Sequence, residues 1–141
     1  MRTLASIAFV AALGGCVAPD PTASPTLWDR LGGKPVVTQV VAETIDRAST
    51  DPRTARSFKD TKIQRIKDLI VEQICSLTGG GCKYTGDPMD KVHAGLKNTE
   101  GEMDLVVQFL RDALAHAGVK DTEKNELLRI LAPMKHDIVT G

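Results

Sequence analysis

Met89, His93 and Leu96 stand at i, i+4 and i+7, a spacing that places all three on one face of a helix. An imidazole on an apolar stripe, braced by Met and Leu, is what a buried iron needs from its axial ligand. A histidine satisfied inside an ordinary core has the same spacing, and on spacing alone that alternative stands. His116 near a helix end and His136 between Lys135 and Asp137 read instead as solvated positions.

Three cysteines offer further chemistry. Cys75 and Cys82 lie seven apart across the glycine-rich turn Thr78-Gly79-Gly80-Gly81. In an oxidising compartment they would pin a helix end to the loop, at roughly 2–3 kcal/mol in the chain-entropy description; two free thiols are the alternative. Zinc is disfavoured, because only His93 lies near in sequence and four-ligand spacing is absent. No Cys-x-x-Cys-His occurs, which excludes covalent c-type haem attachment.

The third cysteine, Cys16, follows Leu13-Gly14-Gly15, after a basic Met1-Arg2 and an apolar run from Leu4 to Leu13 that is too short to span a bilayer. This resembles a bacterial lipobox; an ordinary secretory signal or a soluble N-terminal helix are the alternatives. The expected organisation is a signal peptide over 1–15, a lipidated extended tether over 16–25 with Pro19, Pro21 and Pro25, and a domain over 26–141. The localisation that follows is an exported lipoprotein, anchored to a membrane and facing the periplasm or cell exterior.

The elements that must hold these residues read as helices. Among 141 residues, 18 basic and 18 acidic side chains give zero formal charge, so nothing favours nucleic acid. Leu27 to Leu31 is a helical turn stopped by Gly32-Gly33, and Pro35 suits the first position of the next helix. That helix carries Val36, Val37, Val40, Val41, Ile45 and Ala48 and ends at Thr50-Asp51-Pro52. A third runs from Lys62 to Thr78, with Ile63, Ile66, Ile70, Ile74 and Leu77 on one side. Thr99 and Glu102 have capping-box spacing and open a helix with Met103, Val106, Leu110 and Leu114 inward, closed by Gly118. The last starts near Asp121, and Pro133 should kink it. No segment alternates as a strand should, so the expected class is all-α, with about six helices.

Taken in order, several motifs make a pattern: Leu27-Trp28-Asp29-Arg30-Leu31-Gly32-Gly33, Gly79-Gly80, Tyr84-Thr85-Gly86, Met89 with His93, and Leu131-Ala132-Pro133-Met134. From Leu27 to Val139 the chain resembles the group 1 truncated haemoglobins. The resemblance implies a truncated globin fold, a two-over-two helical sandwich around one haem b per chain. It makes His93 the proximal iron ligand. It places Phe58, Tyr84, Met89, Ile66 and Ile70 in the haem pocket, Thr61 near a propionate, and Val106 and Leu110 on the proximal side.

Departures from the family pattern bear on ligand chemistry. Ile45 stands where a tyrosine is usual, and Ile66 and Ile70 stand where a glutamine often sits, so the distal wall is expected to be apolar. Thr44 and Gln73 are the nearest polar candidates. Asn98 stands where an apolar residue is common, and Met103 where phenylalanine is common.

The implied function is binding of O2, NO or CO at ferrous iron, in oxygen binding or transport, with an unidentified reductase as partner. Haem-based NO or peroxide chemistry, and a globin-like lipoprotein without haem, are the alternatives. No catalytic residue is assigned, because no distal acid or base is offered.

Overall fold

The computed structural model describes residues 24–141. The expected signal segment, Cys16 and most of the expected tether lie outside them. Seven α-helical segments and two 3₁₀ turns form the domain: α1 Leu27–Arg30, α2 Gly33–Thr50, a 3₁₀ turn Ala55–Phe58, α3 Ile63–Leu77, α4 Met89–Val92, α5 Glu100–His116, α6 Asp121–Leu131, a 3₁₀ turn Ala132–Met134 and α7 Lys135–Ile138. Among the described residues the only β-type pairing is an isolated parallel bridge between Asn98 and Val139.

Local chemistry sets several boundaries. Thr26 caps α1 and Thr99 caps α5, each in a complete capping box, with Asp29 and Glu102 reaching back to the cap backbone. Gly32 turns the chain from α1 into α2 at φ 96°, a left-handed conformation that favours glycine. Gly80 has a different reason. It is not at positive φ, but a Cβ there would stand 2.5 Å from the Cys75 Sγ and 2.8 Å from the Trp28 ring.

Three sequence expectations shift. Pro35 occupies the third position of α2, since Gly33 and Lys34 precede it in the helix. Pro133 ends α6 rather than bending it, and the chain continues as the 3₁₀ turn and α7. Leu77 is 40 % exposed, although Ile74, Cys75 and Thr78 around it at the same end of α3 are buried.

The centre of the fold is α2, against which both α3 and α5 pack. The core joins Leu27 and Leu31, Val37, Val40 and Val41 of α2, Ala113 and Leu114 of α5, and Leu127 of α6, each no more than 5 % exposed. Polar ties brace the α2–α5 pair. Arg47 Nη1 donates to Asp112 Oδ2 at 3.1 Å and its guanidinium lies 4.5 Å from the Phe109 ring centroid. His116 Nδ1 meets Glu43 Oε1 at 2.8 Å, so His116 serves as an interhelical contact and not only as a solvated helix end.

Candidate functional site

Although α3 and α5 both lean on α2, they scarcely approach each other. Between them, closed by α4 and the turns on either side, lies a cavity of about 610 Å³. That volume falls in the range of small-molecule and cofactor sites. Its α2–α3 wall is Val41, Thr44, Ile45, Ile66, Leu69, Ile70, Gln73 and Ile74; its α5 wall is Met103, Val106, Val107 and Leu110. Phe58, Thr61, Tyr84, Met89 and His93 also line it, so the structure brings every pocket residue expected from the sequence to one cavity.

His93 reaches the cavity by a different route from the one its spacing suggests. The α4 helix ends at Val92, and His93 is its C-cap, at φ −103° and ψ 3°. Gly95 and Lys97 then turn left-handed, at φ 77° and 50°. Leu96 is therefore not on a helix, yet it lines the same cavity as Met89 and His93. The His93 Nδ1 lies 2.9 Å from the Met89 carbonyl oxygen. A carbonyl can only accept, so Nδ1 carries the proton and donates, and the neutral ring keeps its lone pair on Nε2. An imidazole oriented in this way by a backbone carbonyl can offer Nε2 to a metal.

The polar groups around the cavity are mostly engaged. The buried Thr44 hydroxyl donates to the Val40 carbonyl at 2.8 Å. The Thr61 hydroxyl donates to the Phe58 carbonyl at 2.6 Å, so a carboxylate contact from Thr61 requires the hydroxyl to turn. The Tyr84 hydroxyl donates to the Asp87 carbonyl at 2.9 Å, and burial raises its pKa. Among the described residues the Gln73 amide has no hydrogen-bond partner within the protein, which leaves it free toward the cavity.

One end of the cavity carries a polar cluster that sequence reading missed. Arg56 Nε and Nη2 donate to the two Glu102 oxygens at 2.5 and 2.6 Å, and Nη1 and Nη2 donate to the carbonyls of Leu96 and Lys97 at 2.7 and 2.8 Å. The hydrogen bonds from Arg56, then those from Thr99, hold the Glu102 carboxyl down at about 2. Beside them the Ser57 hydroxyl donates to Asn98 Oδ1 at 2.7 Å. The Asn98 carbonyl accepts from the Thr140 and Gly141 amides at 3.0 and 3.1 Å. A polar residue at 98 is thereby given partners on two sides. The only signal in the sequence was that departure at Asn98; nothing in the spacing pairs residue 56 with residue 102.

On the far side of α3, Cys75 and Cys82 are joined across the Gly79-Gly80-Gly81 turn, with Cα atoms 5.6 Å apart. The pairing ties the loop that leads to Tyr84 back to the buried end of α3.

Comparison with known proteins places this architecture. The profile of the bacterial-like globin family matches residues 26–140. A group 1 truncated hemoglobin from Mycolicibacterium paratuberculosis is 35% identical over 116 residues, spanning 82% of this chain and 85% of that protein. Its counterpart from Nostoc sp. is 33% identical over 114 residues, spanning 81% and 97%. The truncated hemoglobin of Tetrahymena pyriformis in its Fe(III) form superposes with a TM-score of 0.78 at 23% identity, covering 83% of this chain and all of that one. The 2/2 hemoglobin of Synechococcus sp. PCC 7002, in the cyanomet state with covalently attached heme, gives 0.75 at 21%, covering 82% and 98%. The two structures share the two-over-two helical fold, and at the sequence level the chain belongs to the bacterial-like globin family, among the group 1 truncated hemoglobins.

Proposed function

We propose that the protein binds one b-type haem in the α3–α5 cavity through Nε2 of His93 and presents it to a diatomic ligand. Membership of a truncated hemoglobin family implies a haem cofactor. The observation that carries the reading for this chain is the donor set. It is a single imidazole with Nδ1 hydrogen-bonded to the Met89 carbonyl, set in a cavity of about 610 Å³ walled by Ile, Leu, Val and Met. These residues fit the group. His93 would ligate the iron, Phe58 would meet the ring, and Tyr84, Met89, Val106 and Leu110 would cover it. Haem, when bound, would supply an iron able to take up O2, NO or CO.

The chain's own contribution is exclusion of water and control of polarity. Ile45 is 4 % exposed, and Ile66 and Ile70 extend the same apolar wall. With the Thr44 proton held by Val40, Gln73 is the uncommitted donor on that wall. No acid or base lies among the α2 and α3 residues lining the cavity, which favours ligand binding over NO or peroxide turnover. The test is haem titration of the full chain beside His93→Ala, which should lose tight binding.

The same reading extends to location. Leu13-Gly14-Gly15-Cys16 supports export and acylation of Cys16, with the globin domain tethered to a membrane outside the cytoplasm and a separate reductase keeping its iron ferrous. The Cys75–Cys82 pairing suits such a compartment. Intact-mass analysis of membrane-extracted protein is expected to show the lipid and no free thiol; an unmodified Cys16, or two thiols that alkylate without reductant, contradicts this.

A further inference from the structure

We propose that Arg56 is a positioning residue: it fixes the segment carrying His93 against the turn carrying Phe58, and so sets how the imidazole stands in the cavity. The inference rests on the reading of His93 as the axial ligand. Its basis is the bond pattern. The guanidinium makes four hydrogen bonds, two to the Glu102 carboxylate and one each to the carbonyls of Leu96 and Lys97. The Leu96 amide in turn donates to the His93 carbonyl at 3.2 Å. From Arg56 to the backbone of His93 there are thus two hydrogen bonds and one residue.

Both ends of this connection are anchored. Glu102 is held by its own helix cap, accepting from the amide and hydroxyl of Thr99 at 2.8 and 2.9 Å. Ser57, next to Arg56, holds Asn98, and Phe58, next again, lines the cavity. The Ala55–Phe58 turn therefore grips residues 96–98 through two consecutive side chains while presenting Phe58 to the same cavity as His93.

The segment it grips needs an external hold. Lys97 sits at φ 50°, a left-handed conformation that a non-glycine residue adopts against a local penalty. The two carbonyls that flank the Lys97 α-carbon, those of Leu96 and Lys97, are the ones that Arg56 takes. Arginine suits the task because its planar fork serves two acceptor sites at fixed angles; a lysine ammonium keeps the charge but lacks the plane.

The experiment uses the full chain loaded with haem and reduced, comparing unmodified protein, Arg56→Ala, Arg56→Lys, Glu102→Gln and, as a control, Arg47→Ala. Arg47 makes a similar surface ion pair, with Asp112, but lines no part of the cavity. The readouts are the iron–imidazole stretching band in resonance Raman and the rate of haem transfer to an acceptor apoglobin. Arg56→Ala is expected to shift and broaden the band and to speed haem loss on the order of 10-fold. Arg56→Lys should not restore either, and Arg47→Ala should leave the band in place.

An unmoved band in Arg56→Ala, or full rescue by lysine, overturns the proposal. If Arg56→Ala does not accumulate, Glu102→Gln decides: a shifted band supports the role and an unchanged one refutes it. A missing iron–imidazole band in the unmodified protein refutes ligation by His93 itself, a failure distinct from that of the clamp.

Discussion

Helix α3 is packed at one end and open to a cavity at the other. Ile74 is 2 % exposed and joins the buried core as well as bordering the cavity, while Ile70 and Ile66, one and two turns earlier, are only part-buried along the cavity. Helix α5 repeats the contrast, with Ala113 and Leu114 fully packed and Met103, Val106 and Leu110 on the cavity. The residue types and the helical period are the same at both ends. What differs is the partner: at one end another helix, at the other a largely apolar cavity of about 610 Å³. The means of support differ as well. The packed end relies on interlocking aliphatic side chains, and the cavity end on the polar grip of Arg56, Ser57, Asn98 and Glu102.

The largest expected effect would break this contrast if it failed to appear. Leu114→Ala should destabilise the haem-free chain by about 2–5 kcal/mol, because it opens a hole in close-packed surroundings. Ile70→Ala should cost only about 1 kcal/mol in the same state, since its part-buried side chain borders open space and its removal leaves no new closed hole. Urea unfolding of the two apo variants measures both, and equal losses would erase the distinction between the two ends.

A smaller effect sharpens the chemistry of the cavity end. Retention of O2 gains from a hydrogen-bond donor, and CO gains far less. Ile45→Tyr adds a donor to an apolar wall, and one such bond in low dielectric is worth roughly 1–3 kcal/mol, which should slow O2 dissociation by about 10- to 100-fold with little change for CO. Stopped-flow dissociation rates supply the comparison. A slow O2 rate in the unmodified protein that Ile45→Tyr leaves alone and Gln73→Leu raises would instead make Gln73 the working donor.

These differences also mark where the sequence could be read. Short-range chemistry was legible: the Thr99–Glu102 capping box, the Asp51 stop after α2 and the glycine turn at Gly32 depend on residues within a few positions, and each forms. Aliphatic periodicity located the three long helices. It could not tell Ile74 from Ile70, because period records which way a side chain faces and not what it meets. The spacing over 89–96 implies a longer helix than α4, which spans Met89–Val92. The backbone turns left-handed at Gly95 and Lys97, and the carbonyls of Leu96 and Lys97 bond to Arg56, 40 and 41 residues earlier, a partnership that spacing does not record. Leu77 fits the stripe of α3 and yet is exposed, while Ile74, Cys75 and Thr78 beside it are buried, a difference that the period alone does not separate.

The central claim is that the cavity end is shaped around haem held by His93. Its most direct test is the optical spectrum of the purified full chain with haem supplied, oxidised, reduced and reduced with CO, with His93→Ala alongside. The account predicts a Soret band that titrates to one haem per chain and moves on reduction and on CO addition, and loss of that high-affinity band in His93→Ala. An unchanged haem content and spectrum in His93→Ala, or a folded unmodified chain that takes up no haem, would contradict it.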